Sequence, residues 1–236
     1  HACLTQGIKL MDLFSNAWII AVTQIVAIDI ILGGDNAIII ALACRNLPKH
    51  QKRAGILWGT AGAIILRIIL VFFATSLMEI PGLRLIGGVL LIWIGVKLLT
   101  EADSHSLDGK IDQSSNLLTA IRTIIIADFV MSLDNALAIT AAAKGDIGLV
   151  VFGLVLSVPI IIGGSALILR LMERFPLIIT AGAGLLGWLG GDLIVNDKLF
   201  TNYNFAPTVA DPTIAATVGA VFVIAVGEFL ARRQKK

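Results

Sequence analysis

The stretch "IDIILGGDNAIIIA", residues 28–41, decides how this chain reads. It sets two carboxylates, Asp29 and Asp35, and one amide, Asn36, among Ile, Leu, Ala and Gly. The pattern recurs in "ADFVMSLDNALAIT", residues 127–140, with Asp128, Asp134 and Asn135. Both copies read D-x₅-D-N-A, and both lie inside long apolar runs. A membrane-crossing helix needs about 20 mostly apolar residues. Seven segments meet that length: 15–43, 55–78, 83–100, 117–143, 147–169, 177–195 and 213–230. Of the 236 residues, 57% are hydrophobic and 14% charged, with mean hydropathy +0.93. Soluble domains carry about a quarter charged residues. The segments lack the polar faces of soluble amphipathic helices and the alternation of a transmembrane strand. The expected fold is all-α, a polytopic membrane protein of seven transmembrane helices embedded in the lipid bilayer.

Basic residues orient the spans. The first loop carries Arg45, Lys49, Lys52 and Arg53. The same side collects Lys110, Arg122, Arg170, Arg174 and the tail residues Arg232, Arg233, Lys235 and Lys236. The other side has Lys9, Arg84, Lys144 and Lys198. The side richer in Lys and Arg faces the cytoplasm. The N-terminus is therefore expected outside and the C-terminus inside. No cleavable signal peptide is evident. Residues 1–10 read as an upstream extension before a start at Met11.

The two acidic stretches align without gaps at an offset of 99. Downstream, Gly59 pairs with Gly153 and Glu79 with Glu173. "GGVLLIWIGVKLL" (87–99) pairs with "GAGLLGWLGGDLI" (182–194), matching Lys97 with Asp192. Each unit has three helices, so the second copy crosses in the opposite sense, the inverted-repeat plan of many secondary transporters. The expected organisation has six parts. Residues 1–14 are an extracytoplasmic extension and 15–100 the first repeat. A cytoplasmic polar linker follows at 101–116, then the inverted second repeat at 117–196. An extracytoplasmic loop spans 197–212, and 213–236 form a seventh helix with a basic tail.

A carboxylate at the centre of a span costs about 2.5–3.5 kcal/mol on insertion scales. Four of them, lipid-facing and unpaired, would cost on the order of 10 kcal/mol. Interhelical hydrogen bonds return about 0.6 kcal/mol each, so polar glue does not offset four carboxylates. Two antiparallel copies of Asp…Asp-Asn would bring oxygen ligands together from both sides. Such ligands suit hard divalent cations, Mg²⁺, Ca²⁺ or Mn²⁺, and the donor set does not separate these. The three histidines, His1, His50 and His105, fall outside the spans. Cys3 and Cys44 form no metal motif, and no disulfide is inferred. Gly33-Gly34 would break the first helix just before Asp35. Arg67, mid-span in "AIILRIILVFF", would pair with an aspartate, either as a counter-charge when the site is empty or as a plain helix-packing ion pair. Lys97 and Asp192 are candidate gates, with snorkelling to the interface as the plainer reading.

These residues resemble the TerC family. The resemblance rests on the duplicated D-x₅-D-N-A motif, the basic first loop and the seven spans, and it covers about residues 12–232. It is nearest to the compact bacterial branch, within the LysE-like transporter superfamily. Several bacterial members of the family are implicated in manganese export. The resemblance thus implies a metal path of Asp29, Asp35, Asn36, Asp128, Asp134 and Asn135, with Mn²⁺ as transported substrate. It also implies a bacterial cytoplasmic membrane location.

The first function expected is export of a divalent cation. No nucleotide-binding motif of the G-x₄-G-K-[ST] type is present, so proton or potential coupling is the default. No permanently bound cofactor, enzymatic activity or nucleic-acid partner is expected. The alternatives are a non-transporting factor for membrane-protein assembly, an exporter of another small solute such as an amino acid, and an intramembrane enzyme. The last would use a lone aspartate dyad, which four carboxylates and two asparagines do not match.

Overall fold

The computed structural model describes residues 16–104, 117–143, 146–199 and 211–234. The 1–14 extension and most of the 101–116 linker and 197–212 loop lie outside the described residues. Within them the chain is helical: α1 (Asn16–Leu32), α2 (Gly34–Cys44), α3 (Lys49–Met78), α4 (Leu83–Ser104), α5 (Leu117–Ala142), α6 (Ile147–Arg174), α7 (Leu177–Val195) and α8 (Pro212–Gln234). Five of these, α3, α4, α6, α7 and α8, are each long and apolar enough to cross a membrane. Two more crossings result if α1 with α2, and the two parts of α5, each count as one bent span.

The molecule is apolar outside as well as inside. Ile31, Trp58, Phe72, Phe73, Trp93 and Phe222 all stand more than half exposed. In water such a surface would be a large hydrophobic liability. In a bilayer it is the surface that faces acyl chains.

Without a hydrophobic force between helices in lipid, close packing through small residues holds the bundle. α7 packs most extensively on α8 and on α4, while α3 packs on α5, and α1 and α2 pack on α6. At the α7–α8 contact the backbones nearly touch. A Cβ added at Gly219 would sit 2.2 Å from the Gly187 carbonyl oxygen, and one at Gly191 would sit 2.2 Å from that of Ala215. Elsewhere glycines receive side chains. Gly59 of α3 faces Ile124 of α5, and Gly153 of α6 faces Ile25 of α1.

The two bends fall within the two acidic motifs. The α1–α2 pair bends by 47° between Ile31 and Gly34, and α5 bends by 61° between Leu133 and Asn135. The first break is at Gly33, where no side chain fits: a Cβ would lie 2.4 Å from the Asp29 carbonyl oxygen and 3.1 Å from Asn36 Nδ2. The bend in α5 has no glycine at all, and it is the sharper of the two.

One end of the bundle is tied by a loop carboxylate. Asp197, just past α7, is buried and accepts from the backbone N–H groups of Gly82 (2.9 Å), Leu85 (3.1 Å) and Leu199 (2.8 Å). Gly82, at φ +87°, makes the left-handed turn from α3 into α4. Arg84 Nη1 donates to the Asn196 carbonyl beside it (3.0 Å). The α3–α4 turn and the end of α7 are thereby pinned together.

Candidate functional site

The centre of the bundle is built on Arg67. It lies mid-way along α3 and is 2% exposed. Its guanidinium spends its fixed fork of donors on three partners. Nη1 donates to Asp29 Oδ1 of α1, Nη2 to Asp128 Oδ1 of α5 at 2.5 Å, and Nε to Ser132 Oγ at 2.9 Å. Ser132, one turn on from Asp128, donates to Asp128 Oδ2 (3.2 Å). From α6, Ser157 donates to Asp29 Oδ2. All five residues are buried. A lone carboxylate at this depth would carry a desolvation cost of several kcal/mol. Two carboxylates sharing one guanidinium and two hydroxyls have most of their oxygens satisfied.

The second half of each motif is placed differently. Asp35 lies in the first turn of α2, where the helix dipole favours a negative charge. Its Oδ1 is buried and has no hydrogen-bond partner among the described residues. Asn36 is 4% exposed, and both its side-chain polar atoms are without a partner among the described residues. Asp35 and Asn135 wall a single cavity of about 250 Å³, together with Asp192 of α7 and the apolar Ile31, Met131, Leu189 and Leu193. At about 30 Å³ per water, that volume admits a hydrated ion. Asp134 sits at the α5 bend, and its side chain lies outside the described residues.

The structure therefore divides the six residues expected to form one metal path. Asp29 and Asp128 are gathered on Arg67, whereas Asp35 and Asn135 line the cavity. No group of three His, Cys, Asp or Glu able to hold a metal ion occurs among the described residues. The two candidate gates also part. Asp192 is a wall of the cavity, while Lys97 reaches Glu101 of its own helix (3.8 Å) and lies over the Trp93 ring (5.5 Å). Ser132 and Ser157 escape the sequence reading, because a serine in an apolar helix carries no signal of its own. Only the spacing of Ser132 from Asp128, one helical turn, hints at a shared face.

Comparison with known proteins agrees with the motif. The model of the TerC integral membrane protein family matches residues 14–236. The chain belongs to the TerC family. It is 47% identical to the membrane protein YjbE of Bacillus subtilis (strain 168) over 181 residues, 77% of this chain and 82% of YjbE. It is 29% identical to the inner membrane protein YgdQ of Escherichia coli (strain K12) over 177 residues, 68% of this chain and 73% of YgdQ. A more distant relative is the membrane protein YkoY of Bacillus subtilis (strain 168), 23% identical over 75% of this chain and 60% of YkoY. No solved structure matches the chain. It is thus a multi-pass integral membrane protein of a bacterial TerC family, in contact with lipid.

Proposed function

We propose that this TerC family protein is a membrane transporter that exports a hard divalent cation, Mn²⁺ first among them, from the bacterial cytoplasm. The observation that carries this reading is the cavity. Asp35 and Asn135, one from the D-N pair of each motif, face one chamber at two helix bends. A bent span frees backbone groups only where protein or water can satisfy them. Anionic and amide oxygens beside such breaks are the donors a hard cation takes.

In this reading the cation is held by oxygens of Asp35, Asn36, Asp134 and Asn135, with Asp192 at the wall. Asp29 and Asp128 are not ligands but partners of Arg67, a tethered cation that keeps the bundle centre compensated. The chain acts by transport rather than catalysis. Spans run from an outside N-terminus to a cytoplasmic C-terminus, as the basic loops require.

Packing supports an inverted repeat of three helices plus three. Gly59 faces Ile124 and Gly153 faces Ile25; the offset of 99 relates Ile25 to Ile124, and Gly59 aligns with Gly153. Likewise Gly88 meets the Gly190 carbonyl oxygen, and Gly95 meets that of Ala183. These contacts exchange when the two halves are exchanged. Rocking of one half against the other would expose the cavity alternately to each side.

The test is flux of Mn²⁺, Mg²⁺ and Ca²⁺ in vesicles carrying the purified full chain. Movement of Mn²⁺ down an imposed gradient, above protein-free vesicles, supports export. Movement of none of the three overturns it and favours a role in membrane-protein assembly.

A further inference from the structure

One end of the bundle carries a surplus of positive charge where α3 and α6 meet. Lys52 Nζ of α3 donates to Glu173 Oε1 of α6 at 2.9 Å. Lys52 is largely covered there, whereas Glu173 is mostly exposed. Two further cations, Lys49 and Arg170, stand within electrostatic reach of the same carboxylate. Each helix brings its pair at a spacing of three, Lys49 with Lys52 and Arg170 with Glu173, so each pair shares a face. Three cations against one carboxylate leave two positive charges over. Lys49 and Arg170 are exposed, and among the described residues neither has an ion pair of its own.

The surplus adjoins an apolar strip. On α6, Ile160, Gly163, Leu167 and Arg170 follow at spacings of three and four and so line one face. Ile160 is 51% and Leu167 59% exposed. Gly163 between them is exposed too, and a Cβ added there would meet nothing within 4 Å. The face thus presents a cation at its polar end and, below it, an apolar strip with a notch in the middle. A soluble anion would match the cations alone. A phospholipid matches both, its phosphate the cations and its acyl chain the strip.

We infer that the junction of α3 and α6 is a binding site for one anionic phospholipid, with the headgroup phosphate held by Lys49 and Arg170 and an acyl chain lying along Ile160, Gly163 and Leu167. Basic pockets between transmembrane helices take anionic headgroups, and the planar fork of a guanidinium matches phosphate oxygens. The bound lipid adds a second tie between α3 and α6. The ion pair of Lys52 with Glu173 is partly exposed, and such a pair contributes little by itself. The site shares no residue with the cavity of Asp35 and Asn135. It therefore stands whether or not the chain exports a cation.

The experiment is native mass spectrometry of the full chain released from vesicles of phosphatidylcholine and phosphatidylglycerol in equal parts. The expected result is a chain that keeps phosphatidylglycerol in preference to phosphatidylcholine. Lys49→Ala combined with Arg170→Ala should reduce that preference roughly thirtyfold, the scale of two basic residues at an anionic surface. Lys49→Arg combined with Arg170→Lys should retain it. Arg232→Ala combined with Arg233→Ala, which takes two charges from the tail, should leave it unchanged. Equal retention of the two lipids by the native chain, or an equal loss in the tail variant, overturns the inference. Thermal unfolding of the native chain needs no variant. Phosphatidylglycerol in the vesicle should raise the midpoint above its value in phosphatidylcholine alone, and inorganic phosphate should not. An equal rise with inorganic phosphate assigns the cations to a soluble anion and overturns the lipid site.

Discussion

Asp29 and Asp128, from α1 and α5, share one guanidinium, that of Arg67. The corresponding residues of two sequence repeats thus meet on a side chain that only one repeat supplies.

Removing Arg67 leaves two buried carboxylates without compensation. Breaking a buried pair by deleting one partner costs about 3–5 kcal/mol. Arg67→Met should therefore lower the thermal midpoint of the detergent-solubilised protein sharply. Arg67→Lys keeps the charge but loses the fork and should fall between. A midpoint for Arg67→Met equal to that of the native chain would contradict the buried trio.

Asp197 is outside the spans, and its carboxyl is held below the usual range. Burial pulls it upward, but the backbone N–H groups of Leu199, Gly82 and Leu85 outweigh burial. A lowered folded value contributes stability above the unfolded value, about 3.9, and loses it as pH falls through the folded value. Asp197→Asn should cost about 2 kcal/mol at neutral pH. Thermal midpoints across pH should show a constant gap from native between about pH 5 and 8, narrowing in stronger acid. A gap that instead grows in acid would refute the assignment.

Two glycine substitutions should differ by what they strike. Gly219→Ala drives a Cβ into the Gly187 backbone, which cannot yield without moving α7 from α8. Overpacking of that kind costs about 1–3 kcal/mol. Gly59→Ala meets the end of the Ile124 side chain at 2.5 Å, which can turn aside. Unfolding in mild detergent should find Gly219→Ala clearly less stable than Gly59→Ala; equal losses would argue against the α7–α8 contact.

Asp192 and Lys97 occupy matching repeat positions, but only Asp192 faces the cavity. Asp192→Asn should weaken the apparent affinity for Mn²⁺ on the order of tenfold, the scale of losing a supporting carboxylate. Lys97→Ala, which removes a partly exposed pair with Glu101 and a contact with the Trp93 ring, should leave flux near native. Concentration-dependent Mn²⁺ flux distinguishes them, and the reverse order would remove Asp192 from the site.

Much of this was open to reading from residues. The apolar runs placed the helices closely: 177–195 matches α7, and 117–143 differs from α5 by one residue at its end. Arg67 drew notice because a guanidinium mid-span demands a partner. The runs hid other things. Lys49–Ala54 of α3 and Arg170–Arg174 of α6 extend those helices past their apolar segments, since backbone bonding continues into polar residues. The bend in α5 has no glycine to announce it. Asp197 looks like any loop aspartate until α3, α4 and α7 are brought together. Sequence also gave all six motif residues one role, because spacing along a helix does not say which carboxylate an arginine from another helix will take.

The most direct test of the account is Mn²⁺ efflux from vesicles carrying the native chain or the double variant Asp35→Asn with Asp134→Asn. The account predicts flux in the native chain and its loss in the variant, with folding and membrane level unchanged. Native flux that persists in the double variant would contradict a cation path through the two D-N-A steps.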